Sequence, residues 1–253
     1  MYAPFRIQRL CMVASAVAMF EFSAVGSCEA MTFYTEISVP QTYYPSGQET
    51  LAGFSFELVS EMARRAGISA SFTTSVPWAR AQAMVADPAQ KDACLFSVTQ
   101  TPERLHRYQW VGPMGKVKWT LFARAEFDAR LRTLEDARRY RIGGYNRDAR
   151  TEYLKSQLGF QVDAAPDDRI NARKLATGRI DLWISNFDNG TRTAETVGLP
   201  GVKPVLTFHE DYNYLACGPG VPRAEVAALQ SALDSICADG TRARLTRRYH
   251  LTN

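Results

Sequence analysis

The sequence predicts an α/β protein made of two similar units, each with a mostly parallel sheet. Segments with strand and helix patterns alternate through residues 32–96, which is the order expected of such a sheet. The same alternation restarts near residue 125. The chain has 253 residues, which is enough for one or two domains with a sizeable core.

The N-terminal segment has the pattern of a secretory signal. Two arginines precede an apolar stretch at residues 10–20 that is too short to span a bilayer, and residues 28–30 offer a signal-peptidase site. We therefore predict a signal peptide at residues 1–30 and a periplasmic mature chain. Lipid anchoring at Cys28 is the alternative, because the segment that ends there resembles a lipobox, although Glu21 within it argues against this.

The first unit is predicted from two helices and the strands around them. The clearest helix spans residues 54–66, with Ser55 as its expected N-cap, apolar residues at helical spacing and Gly67 at its end. The other predicted elements are strands at residues 32–36, 68–76, 93–96 and 116–125, and a helix at residues 79–86.

The stretch after the strand at residues 93–96 is the first candidate binding element. Pro102 is expected at the first turn of a short helix, and Arg104 follows it. Hydroxyl donors, free backbone N–H groups and a guanidinium can converge here on one carboxylate. The alternative is an ordinary turn with a solvated arginine. The small polar residues that precede the proline are Ser97, Thr99, Gln100 and Thr101.

The second unit repeats the alternation. Residues 133–136 resemble a capping box that opens a short helix. The order of elements leaves open whether the last two helices belong to this unit or return to the first. The remaining elements are strands at residues 140–145, 160–164, 180–185, 202–208 and 212–217, and helices at residues 149–158, 168–177, 189–197, 223–238 and 241–249.

Three cysteines remain after the predicted cleavage site, and export implies an oxidising compartment. Cys94 lies within a buried strand and is expected to be a small core residue. Cys217 ends a strand and Cys237 lies on a late helix, so a bridge between these two is the pairing to test.

Charge and motif patterns exclude several classes of function. The net charge of +4 is spread along the chain, whereas a nucleic-acid surface requires clustered Lys and Arg. The sequence lacks phosphate-loop, nucleophile-elbow and zinc-protease signatures, and no Cys/His spacing suggests a metal site. We therefore expect no cofactor, no metal and no enzymatic activity.

Four short motifs together resemble the periplasmic solute-binding proteins of amino-acid ABC transporters, the group called family 3. The resemblance covers residues 32–249 and rests on the order and spacing of the motifs rather than on any one of them. The motifs are G-F-S-F-E-L at residues 53–58, P-W-A-R-A at 77–81, S-V-T-Q-T-P-E-R at 97–104 and G-R-I-D at 178–181.

The resemblance implies a type II periplasmic-binding fold with two doubly wound lobes. Lobe one would comprise residues 31–121 and 209–253, so that the closing helices return to it, and lobe two residues 122–208. Two extended crossings near residues 118–124 and 206–212 would form the hinge. The ligand would lie in the cleft between the lobes, where strand ends meet helix N-termini, and closure would be a hinge motion.

The resemblance also assigns roles to residues of lobe one. Arg104 falls where the family's arginine clamps the ligand carboxylate, and Ser97 and Thr99 fall at the neighbouring contacts. Trp78 falls where an aromatic residue stacks on the ligand. Glu36 falls at an acidic contact, with Ser38 beside it.

In lobe two, the resemblance places Tyr145, Asn146, Arg147, Asp148 and Ala149 on the loop that completes the carboxylate cradle. Two departures from the family pattern stand out. Arg147 and Asp148 replace the usual small and hydroxyl residues, and Asn186 replaces an aspartate that pairs with the ligand amino group. Either Glu36 or Asp188 pairs with that group instead, or the ligand has no α-amino group.

The function that this resemblance implies is capture of a small carboxylate-bearing solute, an amino acid or a related organic acid, for uptake. We expect a monomer that works with an ABC permease in the inner membrane. Two alternatives stay open: a sensory module with a degenerate cleft, and a dehydratase-like enzyme on the same fold. The enzyme would need a general acid or base in the cleft, and the candidates are Glu36, Asp148 and Asp188.

Overall fold

The computed structural model describes Met1, residues 30–199 and residues 201–251. The predictions of a signal peptide and of lipid anchoring at Cys28 rest on residues 2–29 and lie outside the described part. Within that part, no helix combines the length and the apolar character needed to cross a bilayer.

Strands and helices alternate through the described chain. The strands are β1 (Met31–Tyr34), β2 (Ala70–Thr73), β3 (Ala93–Thr99), β4 (Gln109–Ala123), β5 (Ile142–Tyr145), β6 (Val162–Ala165), β7 (Leu182–Asn186) and β8 (Lys203–Cys217). The α-helices are α1 (Phe54–Ala66), α2 (Trp78–Val85), α3 (Ala149–Glu152), α4 (Asp168–Ala176), α5 (Phe187–Thr196), α6 (Arg223–Ala238) and α7 (Thr241–Arg248). A 3-10 turn spans Glu135–Ala137, and a π-helical turn, Tyr153–Gln157, continues α3.

These strands form one curled, mixed sheet in the order β2-β1-β3-β8-β4-β7-β5-β6. The pairs β1–β2, β1–β3, β5–β6 and β5–β7 are parallel, as the alternation of strands and helices predicts. The long strands β4 and β8 pair antiparallel at the centre and connect the two halves of the sheet. Their register shifts between Trp119 and Thr120, so a β-bulge lies where the two lobes join.

Each half of the sheet has its own apolar core, and the architecture is therefore two-lobed α/β. Phe33, Leu58 and Leu233 lie in the first core, and Leu121 and Ile184 lie in the second. Helices such as α1 and α6 contribute to this, because each buries an apolar stripe in the core of its half. The lobe boundaries at residues 121 and 208 stay predictions.

The two closing helices pack on α1. The Tyr249 hydroxyl donates to the Glu57 carboxylate and accepts from the backbone N–H of Gly53 at 3.2 Å. Arg248 Nη1 donates to Glu57 Oε2 at 2.9 Å. These contacts attach residues from the end of the chain to the beginning of the first helix.

The N-cap of α1 differs from the sequence prediction. Gly53, with φ of 123°, is its N-cap, and Ser55 does not cap the helix because its hydroxyl donates to Gln41 Oε1 at 2.7 Å. A side chain at Gly53 would lie 2.4 Å from the carbonyl oxygen of Gln41, so glycine is required for the chain to pass this loop.

Other predicted boundaries also require correction. The helix expected from Pro102 is a series of turns, in which the backbone N–H of Arg104 donates to the Thr101 carbonyl. The capping box expected at residues 133–136 is formed in part, since Asp136 accepts from the backbone N–H of Thr133, but the helix that follows is only a 3-10 turn. The two strands expected at residues 202–208 and 212–217 are one continuous strand, β8.

The disulfide pairing differs from the prediction. Cys94 and Cys217 form the disulfide, because the antiparallel register of β3 and β8 places them directly opposite each other. Cys237 on α6 is the free cysteine among the described residues. The predicted Cys217–Cys237 pairing is therefore wrong, as is the interpretation of Cys94 as an ordinary core residue.

Candidate functional site

A small cavity of about 30 Å³ lies between residues of the two lobes, and we call it the small cavity. Strand ends and helix N-termini meet there, the usual place for a site in this architecture. Nine residues that the sequence analysis placed at the site line it: Glu36, Ser38, Trp78, Ser97, Thr99, Arg104, Asp148, Ala149 and Asn186. The other lining residues are Gln41, Arg150 and Asn213.

The fold explains why these residues meet. Ser97 and Thr99 lie at the carboxyl end of β3, and Asn186 is the last residue of β7. Trp78 is the first residue of α2, and Asp148 is the N-cap of α3. Within each half of the sheet the parallel strands end on one edge. Because β3 and β7 run in opposite directions, the strand ends of the two halves converge from opposite sides on the cavity.

Arg104 is the buried cation at the boundary between the lobes. It is 7% exposed, and its Nη1 donates to the Thr99 carbonyl at 3.2 Å. Its Nη2 donates to the carbonyl oxygen of Arg147 at 3.0 Å. Burial lowers the pKa of Arg104, and the nearby Asp148 carboxylate opposes that shift. Since a guanidinium carries five N–H donors, donors remain for a further acceptor such as a carboxylate.

Asp148 and Arg150 form a largely buried ion pair on the wall of the small cavity. Arg150 Nε lies 2.6 Å from Asp148 Oδ1, which also accepts from the Arg150 backbone N–H at 2.9 Å and so caps α3. Burial acts to raise the pKa of Asp148, but the Arg150 charge outweighs it, and the pKa is lowered. The same carboxylate raises the pKa of Arg150 against the effect of burial.

Glu36 has an unusual protonation state. Burial, followed by the Asp148 charge, raises its pKa to about 8, and a hydrogen bond from Tyr145 opposes the shift only in part. Glu36 is therefore mostly a neutral acid at pH 7. The pKa of the Tyr145 hydroxyl is raised in turn, by burial and then by Glu36.

Asp168, at the beginning of α4, is a third acid near this cluster. Burial raises its pKa, and the Arg150 charge opposes the shift. Its carboxylate accepts hydrogen bonds from Trp183 Nε1 at 3.0 Å, Ser185 Oγ at 3.0 Å and Asn189 Nδ2 at 2.8 Å. These bonds fix its position behind the cavity wall.

Four buried polar atoms of the small cavity have no hydrogen-bond partner within the described part of the chain. Asn186 Oδ1 is an acceptor and Arg150 Nη1 is a donor, whereas Ser97 Oγ and Glu36 Oε2, which belongs to a mostly protonated acid, can act as either. Unpaired buried polar atoms are costly, so such a set favours a bound polar partner. Donors and acceptors together match a solute that carries a carboxylate and a hydrogen-bond donor.

The loop predicted to complete the carboxylate cradle is arranged differently from the expectation. The Asn146 side chain is exposed and lines neither cavity described here; its backbone N–H donates to the Ala165 carbonyl at 2.8 Å. Arg147 has a φ of 59°, and its contact with Arg104 is made by its backbone carbonyl. Tyr145 acts through Glu36 rather than by lining the small cavity.

Arg150 is the functional candidate that the sequence analysis missed. It stands two residues after Asp148, and an arginine so close to an acid of the predicted cradle loop was the available signal. The residues that the structure describes contain no group of three or more His, Cys, Asp or Glu side chains arranged to hold a metal ion.

A second, larger cavity of about 650 Å³ shares Arg104 and Ala149 with the small one, and we call it the large cavity. Residues of α2, the turns after β3 and the π-helical turn line it, together with Trp119 of β4 and His209 of β8.

Comparison with solved structures gives close matches in fold at low sequence identity. A histidine kinase sensor domain with similarity to periplasmic binding proteins has a TM-score of 0.79 at 17% identity, covering 87% of this chain and 96% of that chain. The arginine-, lysine-, histidine-binding protein ArtJ from Geobacillus stearothermophilus has a TM-score of 0.76 at 14% identity, covering 87% and 95%.

The ancestral amino acid-binding protein AncCDT-1, a precursor of cyclohexadienyl dehydratase, has a TM-score of 0.73 at 15% identity, covering 87% of this chain and 94% of that chain. At these identities the likeness shows the fold alone. Comparison with curated proteins gives no match.

Comparison with protein families identifies the group directly. The family described as "Bacterial extracellular solute-binding proteins, family 3" matches residues 31–252, which is most of the chain. The two-lobed sheet and the polar site between the lobes agree with that match. The chain therefore belongs to the family 3 bacterial extracellular solute-binding proteins.

Proposed function

We propose that this protein captures a small carboxylate-bearing solute, an amino acid or a related organic acid, between its two lobes. The observation that carries the proposal is the buried Arg104 guanidinium, which lines both cavities and retains unused donors. A guanidinium in such a place favours a planar carboxylate that accepts two hydrogen bonds.

Arg104 anchors the solute but does not account for its affinity alone. A hydrogen bond to a charged group contributes about 1.5–3 kcal/mol. A micromolar complex requires about 8 kcal/mol. Contact with Trp78, hydrogen bonds to the unpaired atoms of the small cavity, and closure of the lobes supply the rest.

Glu36 and Asn186 are the acceptors for an amino group, if the solute carries one. Binding of an ammonium group beside Glu36 would favour the ionised carboxylate and release its proton. A solute without an amino group would leave Glu36 protonated. The number of protons released on binding therefore distinguishes an amino acid from a simple organic acid.

Delivery to an ABC permease in the inner membrane is the role that we propose for the bound form. The family is extracellular by description, and this supports export to the periplasm after loss of residues 1–30. We expect the mature protein to act as a monomer whose closed form the permease recognises.

A second candidate is acid-assisted elimination on a bound hydroxy acid, and the protonation of Glu36 is the observation that favours it. Incubation of hydroxylated carboxylic acids with the protein, followed by mass spectrometry for products that have lost water, tests this candidate. Turnover that is absent from Glu36→Gln would support an enzyme.

Isothermal titration with a panel of amino acids and organic acids tests the binding proposal. We expect Arg104→Lys to weaken binding at least tenfold, because the ammonium group lacks the planar pair of donors. Arg80→Lys is the matched control, since Arg80 is exposed on α2 and lines neither cavity. If Arg104→Lys binds the solute as tightly as the wild type does, Arg104 is not the anchor. A protein that binds none of these acids would fit a sensory module instead.

A further inference from the structure

We propose that the body of the bound solute occupies the large cavity and is an uncharged aromatic ring, so that the solute is an aromatic carboxylate. This inference rests on the proposed function, because Arg104 is taken as the carboxylate anchor. The sizes of the two cavities and the aromatic and small-residue walls of the larger one support it.

The sizes of the two cavities indicate which part of the solute each can hold. A cavity needs roughly 10–15 Å³ to hold one water molecule, so the small cavity of about 30 Å³ has room for very few atoms. The large cavity of about 650 Å³ falls within the range of small-molecule sites, roughly 300–1,000 Å³. Arg104 lines both. A carboxylate on Arg104 therefore leaves the remainder of the solute in the large cavity.

Three rings form one wall of the large cavity. The ring centroids of Trp119 and His209 are 4.4 Å apart, and Tyr153 lies 5.5 Å from Trp119 in an edge arrangement. Tyr153 also stacks with His209 at 5.8 Å. Aromatic clusters of this kind favour a further ring through stacking or edge contacts.

Small residues form another wall. Ala79 and Ala83 are four residues apart on α2 and so share one face of that helix, and both line the cavity with Pro102 and Ala149. Short side chains leave a flat surface. A planar ring fits between a flat surface of this kind and a cluster of rings better than a branched aliphatic chain does.

The large cavity carries no net charge. Its acids are Glu103, Glu152 and Asp211, and its arginines are Arg104, Arg107 and Arg147. With Arg104 neutralised by the solute carboxylate, three acids face two arginines, so the remaining lining charge is −1. This charge allows an ammonium group on the solute and does not require one on the ring.

The π-helical turn explains how Tyr153 reaches the cavity. The backbone N–H of Leu158 donates to the Tyr153 carbonyl at 3.3 Å, five residues earlier, so the turn is wider than an α-helical one. Tyr153, Ser156 and Gln157 of this turn all line the cavity. Turns of this kind occur often at functional sites.

A comparison of probe acids with two cavity-filling variants tests the inference. Indole-3-acetate, 3-phenylpropionate and benzoate are titrated beside L-glutamine, L-arginine and glycine. Ala83→Trp fills the large cavity from α2, and Ser156→Trp fills it from the π-helical turn; both positions are exposed, so both variants should fold. Arg80→Trp adds the same side chain at an exposed α2 position outside the cavity walls.

The inference predicts that an aromatic acid binds, that both cavity-filling variants weaken it at least tenfold, and that Arg80→Trp leaves Kd within threefold. Tight, Arg104-dependent binding of an aliphatic amino acid that neither filling variant affects would overturn the inference and leave the proposed function standing. Absence of binding by every probe would count against both.

Discussion

Arg104 Nη2 donates to the carbonyl oxygen of Arg147 at 3.0 Å, and this hydrogen bond joins the turn after β3 to the loop after β5. The guanidinium that we propose as the solute anchor therefore also connects the two lobes. Gln82 Nε2 donates to the same carbonyl at a longer distance, 3.4 Å. If Arg104 anchors the solute as we propose, binding and closure share one side chain, and we expect occupancy of the cleft to favour the closed form.

Loss of Arg104 should open the cleft. Arg104→Ala removes the shorter of the two hydrogen bonds to the Arg147 carbonyl, and a hinged protein then shifts toward its open form. Small-angle X-ray scattering should show a larger radius of gyration for Arg104→Ala than for the wild type. Arg80→Ala is the control and should not change it; equal values for all three proteins would show that this contact does not maintain closure.

The Asp148–Arg150 pair should be important for stability as well as for the site. Arg150→Met leaves a buried carboxylate without its cation, which costs about 3–5 kcal/mol. Asp148→Asn combined with Arg150→Met should cost less than Arg150→Met alone, because asparagine retains the N-cap and no charge is left unpaired.

Urea denaturation of these variants measures the difference, and Arg64→Met provides the control. The Arg64–Glu61 pair is a surface pair in which the Arg64 side chain is 69% exposed, so its loss should cost far less than the loss of Arg150. A similar cost for Arg64→Met and Arg150→Met would be evidence that burial of the Asp148 pair is energetically unimportant.

Protonation of Glu36 should make stability depend on pH. The folded protein retains this proton up to a pKa of about 8, whereas the unfolded chain loses it near 4.5. The stabilisation is therefore complete below pH 4.5 and is lost as the pH rises through 8, by an amount on the order of a few kcal/mol. Asp168 contributes in the same direction, since burial raises its pKa.

Glu36→Gln isolates this effect, because the amide does not titrate. The free energy of unfolding of the wild type should fall between pH 5 and pH 8.5 more steeply than that of Glu36→Gln. Parallel pH profiles would mean that Glu36 ionises normally in the folded protein.

Removal of the Cys94–Cys217 disulfide should destabilise the protein. The bond closes a loop with a sequence separation of 123 residues, and loops of this size give a stabilisation of about 5 kcal/mol in the chain-entropy account. Replacing both cysteines by alanine should lower Tm, and a reductant should lower Tm of the wild type but not of the variant. Cys237→Ala is the matched control, and a comparable loss of stability there would contradict the pairing.

Local patterns in the sequence predicted the parts of the fold that depend on nearby residues. The helix at Phe54–Ala66 has the predicted bounds, because they depend on local signals: the apolar spacing within the segment and Gly67 directly after it. Strand β4 begins earlier than predicted, at Gln109, because Gly112 and Pro113 interrupt its apolar pattern. The register shift between Val111 and Gly115 accommodates them, which a sequence pattern does not reveal.

The site residues also divide into those that local sequence patterns reveal and those that depend on long-range packing. Arg104 could be found from its place after a strand that ends in hydroxyl residues, and the resemblance gave it a role. Arg150 could not, because its importance comes from burial beside Asp148. The pairing of Cys94 with Cys217 likewise depends on the register of β3 against β8, which is a long-range property of the sheet.

Native mass spectrometry of the mature protein as purified, followed by denaturing extraction of any bound molecule, tests the central claim most directly. We predict a bound small acid that carries a carboxylate and is absent from Arg104→Ala while that variant remains folded. A bound molecule without a carboxylate, or one that Arg104→Ala retains in full, would contradict the account.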